Sequence, residues 1–319
     1  MLAIIIPYYK ADFFEFTLAS LANQTDKRFK VYIGNDNSPH DCSQIVENYK
    51  KSLNIKYQYF EENFGRVSLT RQWIRCFGMI RNEEWIMFLG DDDVLSPYCV
   101  EEFYNSLDVV NRKKIDVVRF SSIIIDSHGN QTSRQYLFPE IELSTTSYIK
   151  KAQRKSRASL SEHIFRRTAF EKTGFADMPE AWHTDDVLIL EASGYGPVYT
   201  INNTCVLIRY SPLSVSGNSG NCWRKNLATI KFLRFLLANK MNHFTKNERN
   251  YLIWYYFKKL KHFRKLSPVS ILEILKFFYL NFANKREFIS KPVKLRKGDP
   301  FKEVTSYERV LEKETLEKD

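Results

Sequence analysis

The segment Trp85–Leu95 reads WIMFLGDDDVL: an apolar run leads into Gly90, and three aspartates then stand side by side. The apolar run predicts a buried strand. Adjacent carboxylates repel one another, so three of them at the end of such a strand need a positive partner or a reaction that uses a base. In sheets of parallel strands, ligands bind outside the carboxyl ends of the strands. The position of Asp91–Asp93 therefore predicts a functional site.

Strand-like and helix-like segments alternate on both sides of this stretch. Short apolar or β-branched runs predict strands at 2–6, 29–36, 55–60, 84–90 and 115–125. Apolar residues at helical spacing predict helices at 12–23, 42–50, 69–81 and 100–111. This alternation predicts an α/β fold with a mostly parallel sheet flanked by helices.

The 319 residues are 44% hydrophobic and 27% charged, which is a globular composition with enough apolar material for a core. The net charge of +11 is unevenly spread. Residues 220–300 contain 19 Lys and Arg against 4 Asp and Glu, a net charge of +15, so the rest of the chain sums to −4. We therefore predict an α/β domain at 1–218, a basic, aromatic-rich helical region at 219–300 and a charged tail at 301–319.

The five cysteines are scattered and lack CxxC spacing, which favours reduced thiols over a disulfide framework or a zinc site. The N-terminus has no basic segment before its apolar run, and that run ends at Pro7, so no signal peptide is predicted. No uncharged apolar run approaches the ~18 residues that a membrane span needs. These features predict a cytoplasmic protein.

Two interpretations fit Asp91–Asp93. Carboxylates on a tight turn suit Mg²⁺ or Mn²⁺, which proteins hold with one or two carboxylates while substrate phosphates complete the shell. Gly90 allows the close backbone approach that such a turn requires. Alternatively, the aspartates precede a helical segment and stabilise its dipole. The position after a buried strand gives the two interpretations equal standing.

Further acidic positions are candidates for binding or catalysis. Asp36 follows a predicted strand and could accept hydrogen bonds from a nucleobase or a ribose, although taken alone it is better explained as a turn residue. Asp185 and Asp186 open an apolar helical run just after Trp182 and His183. An aromatic ring beside a carboxylate suits a sugar site, in which the ring stacks on the sugar and the carboxylate acts as general base. Alternatively, Asp185 and Asp186 cap the N-terminus of the helix, and His183 is neither a ligand nor a base.

In this order and spacing, the segments resemble the family 2 glycosyltransferases, which are inverting enzymes of the GT-A fold that use nucleotide-sugars. The resemblance covers roughly residues 2–216, about two-thirds of the chain. It is carried by segments similar to the family's motifs: IIIPYYK (4–10), YIGNDNSPHD (32–41), ENFGRVSLTRQW (62–73), FLGDDDV (88–94), FRRTAFEKTGFADM (165–178), TDDVLIL (184–190) and LIRYSPLSVS (207–216).

The resemblance implies a metal site and a donor site. FLGDDDV is similar to the family's DxD-type motif, so Asp92 and Asp93 are expected to hold Mn²⁺ or Mg²⁺. Gly90 stands where the first aspartate usually lies, and Asp91 is expected to supply the missing contact. The donor, a nucleotide-diphosphate sugar with a UDP-sugar as the first expectation, is expected to contact Asp91 and residues of the first three motifs: Pro7, Tyr9, Asp36, Asn63 and Arg71.

The resemblance also implies a mechanism. Asp186, with Asp185 as the reserve, is expected to remove the proton of the acceptor hydroxyl, and Trp182 and His183 are expected to bind the acceptor. One displacement at the anomeric carbon then inverts its configuration, so a second catalytic carboxylate is not required. The expected acceptor is a glycan or a lipid-linked molecule, and the expected pathway builds a bacterial surface polysaccharide or glycolipid.

The rear of the chain mixes aromatic and aliphatic residues with Lys and Arg at helical spacing, at 223–240, 251–266 and 269–285. Two interpretations of these helices are open. They form a bundle that covers the catalytic domain, or they bind peripherally to the inner face of the cell membrane. Nucleic-acid binding ranks low, because no nucleic-acid motif occurs and the front of the chain is not basic.

Two functions from other classes compete with a glycosyltransferase. A nucleotidyltransferase would want a glycine-rich, basic phosphate loop near the N-terminus, and residues 6–16, IPYYKADFFEF, have none. A catalytically inactive family member that acts as a membrane-associated scaffold is left open by Gly90 and by Asn35, which replaces a usual aspartate. Retention of Asp92, Asp93 and Asp186 argues against the scaffold.

Overall fold

The structure, a computed structural model, describes residues 1–212, 214, 217, 220, 222–263 and 265–282. Within them nine strands form one sheet: β1 Leu2–Tyr8, β2 Phe29–Asn35, β3 Ile55–Tyr59, β4 Trp85–Phe88, β5 Val94–Leu95, β6 Val117–Ile125, β7 Ile141–Leu143, β8 His163–Arg166 and β9 Pro197–Arg209. The strand order is β3-β2-β1-β4-β8-β6-β9-β5, and β7 also pairs with β9.

The helices of the described residues flank this sheet and then continue beyond it. They are α1 Phe14–Ala22, α2 Ser43–Tyr49, α3 Leu69–Phe77, α4 Cys99–Arg112, α5 Ser144–Ala152, α6 Arg167–Thr173, α7 Thr184–Ala192, α8 Cys222–Phe235, α9 Lys246–His262 and α10 Pro268–Phe282. The α/β class predicted from the sequence is confirmed. The third predicted helix is shorter than expected, because α3 ends before Gly78.

The sheet is parallel over its longest pairings and antiparallel over short ones. Four to eight residues pair in parallel between β1 and β2, β1 and β4, β2 and β3, and β6 and β9. The antiparallel pairings span two or three residues, and two of them place β8 between β4 and β6. Strand β8 is not among the strands predicted from the sequence, because four residues that include His163 and Arg166 give no clear apolar pattern.

The burial of strand β1 on both faces of the sheet explains why its sequence is a continuous apolar run. Leu2, Ile4 and Ile6 belong to one buried cluster together with residues of α1, α2 and α4. Ala3 and Ile5 belong to a second cluster on the other face, together with residues of α3, α6 and α7. A strand that is buried on both faces needs apolar side chains at every position rather than at alternate ones.

Helices α8, α9 and α10 form a third buried cluster that also contains Tyr148 of α5 and Val187 of α7. The predicted boundary at residue 218 lies between β9 and α8, and apolar packing crosses it. The domain division therefore stays a prediction, and the residues 283–300 and 301–319 lie outside the described residues. None of the helices in the described part of the chain has the length and apolar character needed to cross a bilayer.

Candidate active site

A cleft of about 650 Å³ opens at the carboxyl ends of β1, β2 and β4. Residues from four sequence motifs line it together: Pro7, Tyr9, Asp36, Asn63 and Asp91–Asp93. The fold brings them together because parallel strands end at the same edge of the sheet. Arg71 is exposed on α3 and is not among the residues that line the cleft.

Asp91 ties the end of β1 to the end of β4. Its Oδ2 accepts hydrogen bonds from the backbone N–H of Tyr9 at 2.9 Å and of Lys10 at 2.8 Å. Burial raises the pKa of Asp91 to about 6, with the charge of Asp92 adding to the effect and Lys10 opposing it. Asp91 is therefore committed to the backbone of the cleft wall on one carboxylate oxygen.

Asp92 and Asp93 point toward the backbone of Gly90. A Cβ atom at position 90 would lie 2.9 Å from both Asp92 Oδ1 and Asp93 Oδ2. The other oxygen of Asp93 accepts the backbone N–H of Arg209 at 2.8 Å. Burial raises the pKa of Asp93 to about 7, and the charge of Asp92 adds to it. A side chain at position 90 would force the carboxylates of Asp92 and Asp93 to move, because their oxygens occupy the space of its Cβ.

This arrangement fits a divalent cation that takes some of its ligands from the substrate. Asp92 Oδ1 and Asp93 Oδ2 are two hard oxygen atoms that lie beside the same backbone position, that of Gly90. Among the described residues there is no group of three or more His, Cys, Asp or Glu side chains that could hold a metal ion. Mg²⁺ and Mn²⁺ sites commonly use one or two carboxylates and take the remaining ligands from phosphates and water. The residues present fit a metal of this kind.

Asp91, Asp92 and Asp93 form the first acidic cluster, and Lys10 supplies a positive partner for Asp91 and Asp92. Its Nζ lies 3.3 Å from Asp92 Oδ2 and 3.8 Å from Asp91 Oδ1, and its side chain lines the cleft at 27% exposure. Burial alone would lower the pKa of Lys10, but the two carboxylates raise it above its ordinary value. No role was predicted for Lys10 from the sequence, where it is only the last residue of the segment 4–10.

Asp36 lines the cleft and also organises its wall. Its carboxylate accepts the backbone N–H of Phe64 at 2.8 Å and of Gly65 at 2.7 Å, and Nη2 of Arg75 at 2.6 Å. Burial raises the pKa of Asp36 against these three donors. A Cβ atom at Gly65 would lie 2.5 Å from Asp36 Oδ2, so only glycine allows this approach. Arg75, which stacks 4.1 Å from the ring of Phe64, was missed although it lies one turn after Arg71 on α3.

The second acidic cluster lies at the start of α7, and its residues are not among those that line the cleft. Asp186 is 4% exposed, and both its oxygens are occupied: Oδ1 by Lys151 Nζ at 2.7 Å and Oδ2 by His183 Nδ1 at 2.7 Å. Burial alone would raise the pKa of Asp186, but Lys151 and His183 lower it to about 2. An ion-paired carboxylate of this acidity is a weak base.

Asp185 differs from its neighbour. Its side chain is 21% exposed, and Oδ2 lies 3.1 Å from Lys151 Nζ. Burial raises the pKa of Asp185, with the charge of Asp186 adding to it and Lys151 opposing it. Asp185 is therefore the more accessible and the more basic of the two carboxylates.

The loop before α7 is strained. Glu180, Ala181 and His183 all have left-handed backbone angles, with φ of 58°, 49° and 70°. Such angles cost on the order of 1 kcal/mol each in residues other than glycine, and they concentrate at functional sites. His183 Nε2 lies 2.9 Å from Thr229 Oγ1 of α8, and Trp182 packs against the third buried cluster, so both predicted acceptor residues contact the helical region.

An open cleft with acidic side chains at the carboxyl edge of a parallel sheet is typical of α/β enzymes that bind nucleotides. The family model described as Glycosyl transferase family 2 matches residues 3–174, which is more than half of the chain. The chain therefore belongs to glycosyl transferase family 2 and is a glycosyltransferase. A search of curated proteins finds no match.

Crystal structures of S. aureus TarS are similar to this chain in fold. TarS 1–349 has a TM-score of 0.60 at 16% identity, and the match covers 88% of this chain and 80% of that one. TarS 1–349 in complex with UDP-GlcNAc has a TM-score of 0.62 at 16% identity, covering 88% and 81%. A longer TarS structure has a TM-score of 0.55 at 17% identity, covering 97% of this chain and 49% of that one, so this chain spans about half its length. The predicted GT-A fold is confirmed.

Proposed function

We propose that this glycosyltransferase moves a sugar from a nucleoside-diphosphate sugar to an acceptor hydroxyl with inversion at the anomeric carbon. The observation that carries the proposal is the convergence of Pro7, Tyr9, Asp36, Asn63 and Asp91–Asp93 on one cleft. Its volume of about 650 Å³ falls in the range of small-molecule sites. A UDP-sugar is the first candidate donor, because TarS 1–349, which is similar in fold, was crystallised with UDP-GlcNAc.

Asp92 and Asp93 are the residues that would hold Mg²⁺ or Mn²⁺ in this proposal. When bound, such an ion neutralises charge on the leaving diphosphate. The protein contributes the carboxylates of Asp92 and Asp93, and Asp91 fixes the turn that carries them through its bonds to Tyr9 and Lys10. Asp36 holds the loop at Phe64 and Gly65 that forms the opposite wall.

We assign the general base to Asp185, with Asp186 as the reserve, which reverses the order expected from the sequence. Asp185 keeps exposure and basicity, whereas both oxygens of Asp186 are bound. In this assignment Asp185 takes the proton of the acceptor hydroxyl, whose oxygen bonds to the anomeric carbon as the bond to the diphosphate breaks. Asp186 holds Lys151 and His183, and thereby positions the start of α7.

The donor assignment is tested by thermal stability with a panel of nucleoside diphosphates, with and without Mn²⁺. A ligand that binds only the folded state raises the melting temperature by mass action. We expect stabilisation by one nucleotide with Mn²⁺ that Asp92→Asn reduces. Asp108→Asn, at an exposed position of α4 that does not line the cleft, should leave it unchanged. No stabilisation by any nucleotide would overturn the proposal and favour the inactive scaffold.

We also propose that the helical region binds the inner face of the cell membrane, where it would meet a glycan or lipid-linked acceptor of surface polysaccharide synthesis. Four apolar residues of α10 are each more than half exposed: Val269, Leu272, Leu275 and Tyr279. Residues 283–300, directly after them, hold six Lys and Arg against two Asp and Glu. An apolar helix face beside a basic segment is the combination that binds anionic lipid surfaces.

Vesicle flotation tests the membrane assignment. The full chain is expected to float with vesicles that contain anionic phosphatidylglycerol and to float less with phosphatidylcholine alone. Leu272→Glu with Leu275→Glu should abolish flotation, whereas Leu137→Glu, at an exposed leucine outside the helical region, should not. Equal flotation of the double variant and the wild type would overturn the assignment of this face as the membrane-binding surface.

A further inference from the structure

Lys10 occupies an unusual position for a lysine in a site built around carboxylates. It follows β1 directly, and its backbone N–H donates to Asp91 Oδ2 at 2.8 Å. Its ammonium lies 3.3 Å from Asp92 Oδ2, on a side chain that lines the cleft. Asp92 is also one of the two carboxylates that lie beside Gly90 and are proposed to hold the metal. A fixed positive charge and the proposed metal site therefore share one carboxylate.

We propose that Lys10 is a permanent cation of the donor site, which contacts the diphosphate of the donor and competes with the metal for Asp92. This inference rests on the proposed function, because it requires a diphosphate in the cleft. An ammonium has three N–H donors and suits phosphate as a point charge. The backbone bonds to Asp91 hold the base of this side chain in place, so its charge is already positioned before the donor arrives.

Two consequences distinguish a donor-binding cation from a lysine that only offsets the aspartates. First, the cleft should bind a nucleoside diphosphate without any metal, because one cation is built in. Second, removing the ammonium should strengthen binding of the metal alone, because Asp92 Oδ2 loses its competing partner. Replacement of a lysine that only offsets the aspartates would change the melting temperature. It would leave the affinities for the metal-free nucleoside diphosphate and for the metal alone in their original ratio.

The experiment measures UDP binding by calorimetry, in EDTA and in Mn²⁺, and Mn²⁺ binding without nucleotide by electron paramagnetic resonance. The variants are Lys10→Met and Lys10→Arg, and Lys51→Met, at an exposed lysine, is the matched control. Lys10→Gln, which keeps an N–H donor without the charge, replaces Lys10→Met if that variant melts below the assay temperature.

We expect the wild type to bind UDP in EDTA, and Lys10→Met to weaken that binding about tenfold or more, as for a lost hydrogen bond to a charged group. Lys10→Arg should restore much of it. Lys10→Met should also tighten Mn²⁺ binding roughly two- to fivefold, in keeping with one removed ion pair. Lys51→Met should match the wild type in each assay.

The opposite results separate two failures. If the wild type binds UDP only with Mn²⁺ and Lys10→Met changes neither UDP nor Mn²⁺ binding, the role of Lys10 is overturned while the proposed function stands. If no nucleoside diphosphate binds under any condition, the proposed function fails, and the Mn²⁺ measurement still decides whether Lys10 competes at Asp92. Unchanged Mn²⁺ affinity in Lys10→Met would exclude that competition.

Discussion

Two acidic clusters in this protein each contact one lysine from a distant segment. They differ in how far their negative charge is balanced by their partners. Lys10 lies 3.3 Å from Asp92 and 3.8 Å from Asp91, in the cleft. Lys151 lies 2.7 Å from Asp186 and 3.1 Å from Asp185, at the start of α7.

In the first cluster, burial and the charge of Asp92 raise the pKa values of Asp91 and Asp93 to about 6 and about 7, and Lys10 opposes the shift only at Asp91. In the second, Lys151 and His183 outweigh burial, and the pKa of Asp186 falls to about 2. The cleft therefore carries negative charge that a further cation can balance, whereas Asp186 is already balanced. The kind of partner, rather than the residue type, separates the two clusters: both oxygens of Asp186 are held by the side chains of Lys151 and His183, whereas Asp91 and Asp92 share Lys10.

The largest effect is expected at Asp185. Asp185→Asn should lower turnover by about 10³-fold, the usual contribution of a general base, while binding of the nucleoside diphosphate changes little. Steady-state rates and calorimetry measure the two quantities. Asp186→Asn is the matched variant and should act mainly through lowered stability. A severe loss of turnover in Asp186→Asn at unchanged stability and binding would restore the order expected from the sequence.

The next largest effect concerns the ion pairs of the second cluster. Lys151→Met leaves Asp185 and Asp186 without their cation, so the free energy of unfolding should fall by about 3 kcal/mol, as for broken buried ion pairs. Lys155→Met, at an exposed lysine beyond the same helix, should change it by less than about 0.5 kcal/mol. Urea denaturation measures both. Equal stability of the two variants would mean that the second cluster does not support the fold.

His163 of β8 makes this neighbourhood sensitive to acid. Burial lowers the pKa of His163 to about 4, and the charges of Arg119 and Lys151 add to the shift while Glu162 opposes it. The unfolded chain binds the proton near pH 6.5, so stability is complete above about pH 6.5 and is lost as pH falls toward about 4.

The loss across that range should be on the order of 2 to 3 kcal/mol. His163→Gln should flatten this part of the stability profile in denaturation at a series of pH values, and His128→Gln, at an exposed histidine, should not. An identical profile for His163→Gln would show that other groups cause the acid sensitivity.

The smallest effect is expected at Arg71, which the sequence placed in the donor site and the structure leaves outside the cleft lining. Arg71→Met should change the dissociation constant of the nucleoside diphosphate by less than about twofold. Arg66→Met, whose arginine lines the cleft, should weaken it by about fivefold. Calorimetry with Mn²⁺ compares them, and a larger effect at Arg71 would return that residue to the site.

Much of the cleft could be predicted from local sequence. An apolar run that ends in polar residues marks the carboxyl end of a buried strand, and this pattern placed Asp36 and Asp91–Asp93 at one edge of the sheet, where they line the cleft. The short strand β8 and the partners of the aspartates could not be predicted in this way. Lys10 and Asp92 are far apart in the chain, and no periodicity links them.

The sequence by itself determined the α/β class, the parallel strands around β1 and the edge of the sheet at which the site lies. Burial of a strand on both faces requires a continuous apolar run, and ligands bind at the carboxyl ends of such strands. Only the tertiary structure decided which carboxylates have both oxygens held by partner side chains, as Asp186 does, and which do not. That distinction depends on Lys10, Lys151 and His183 reaching across the fold, since the basicity of a buried carboxylate is set by its neighbours in space.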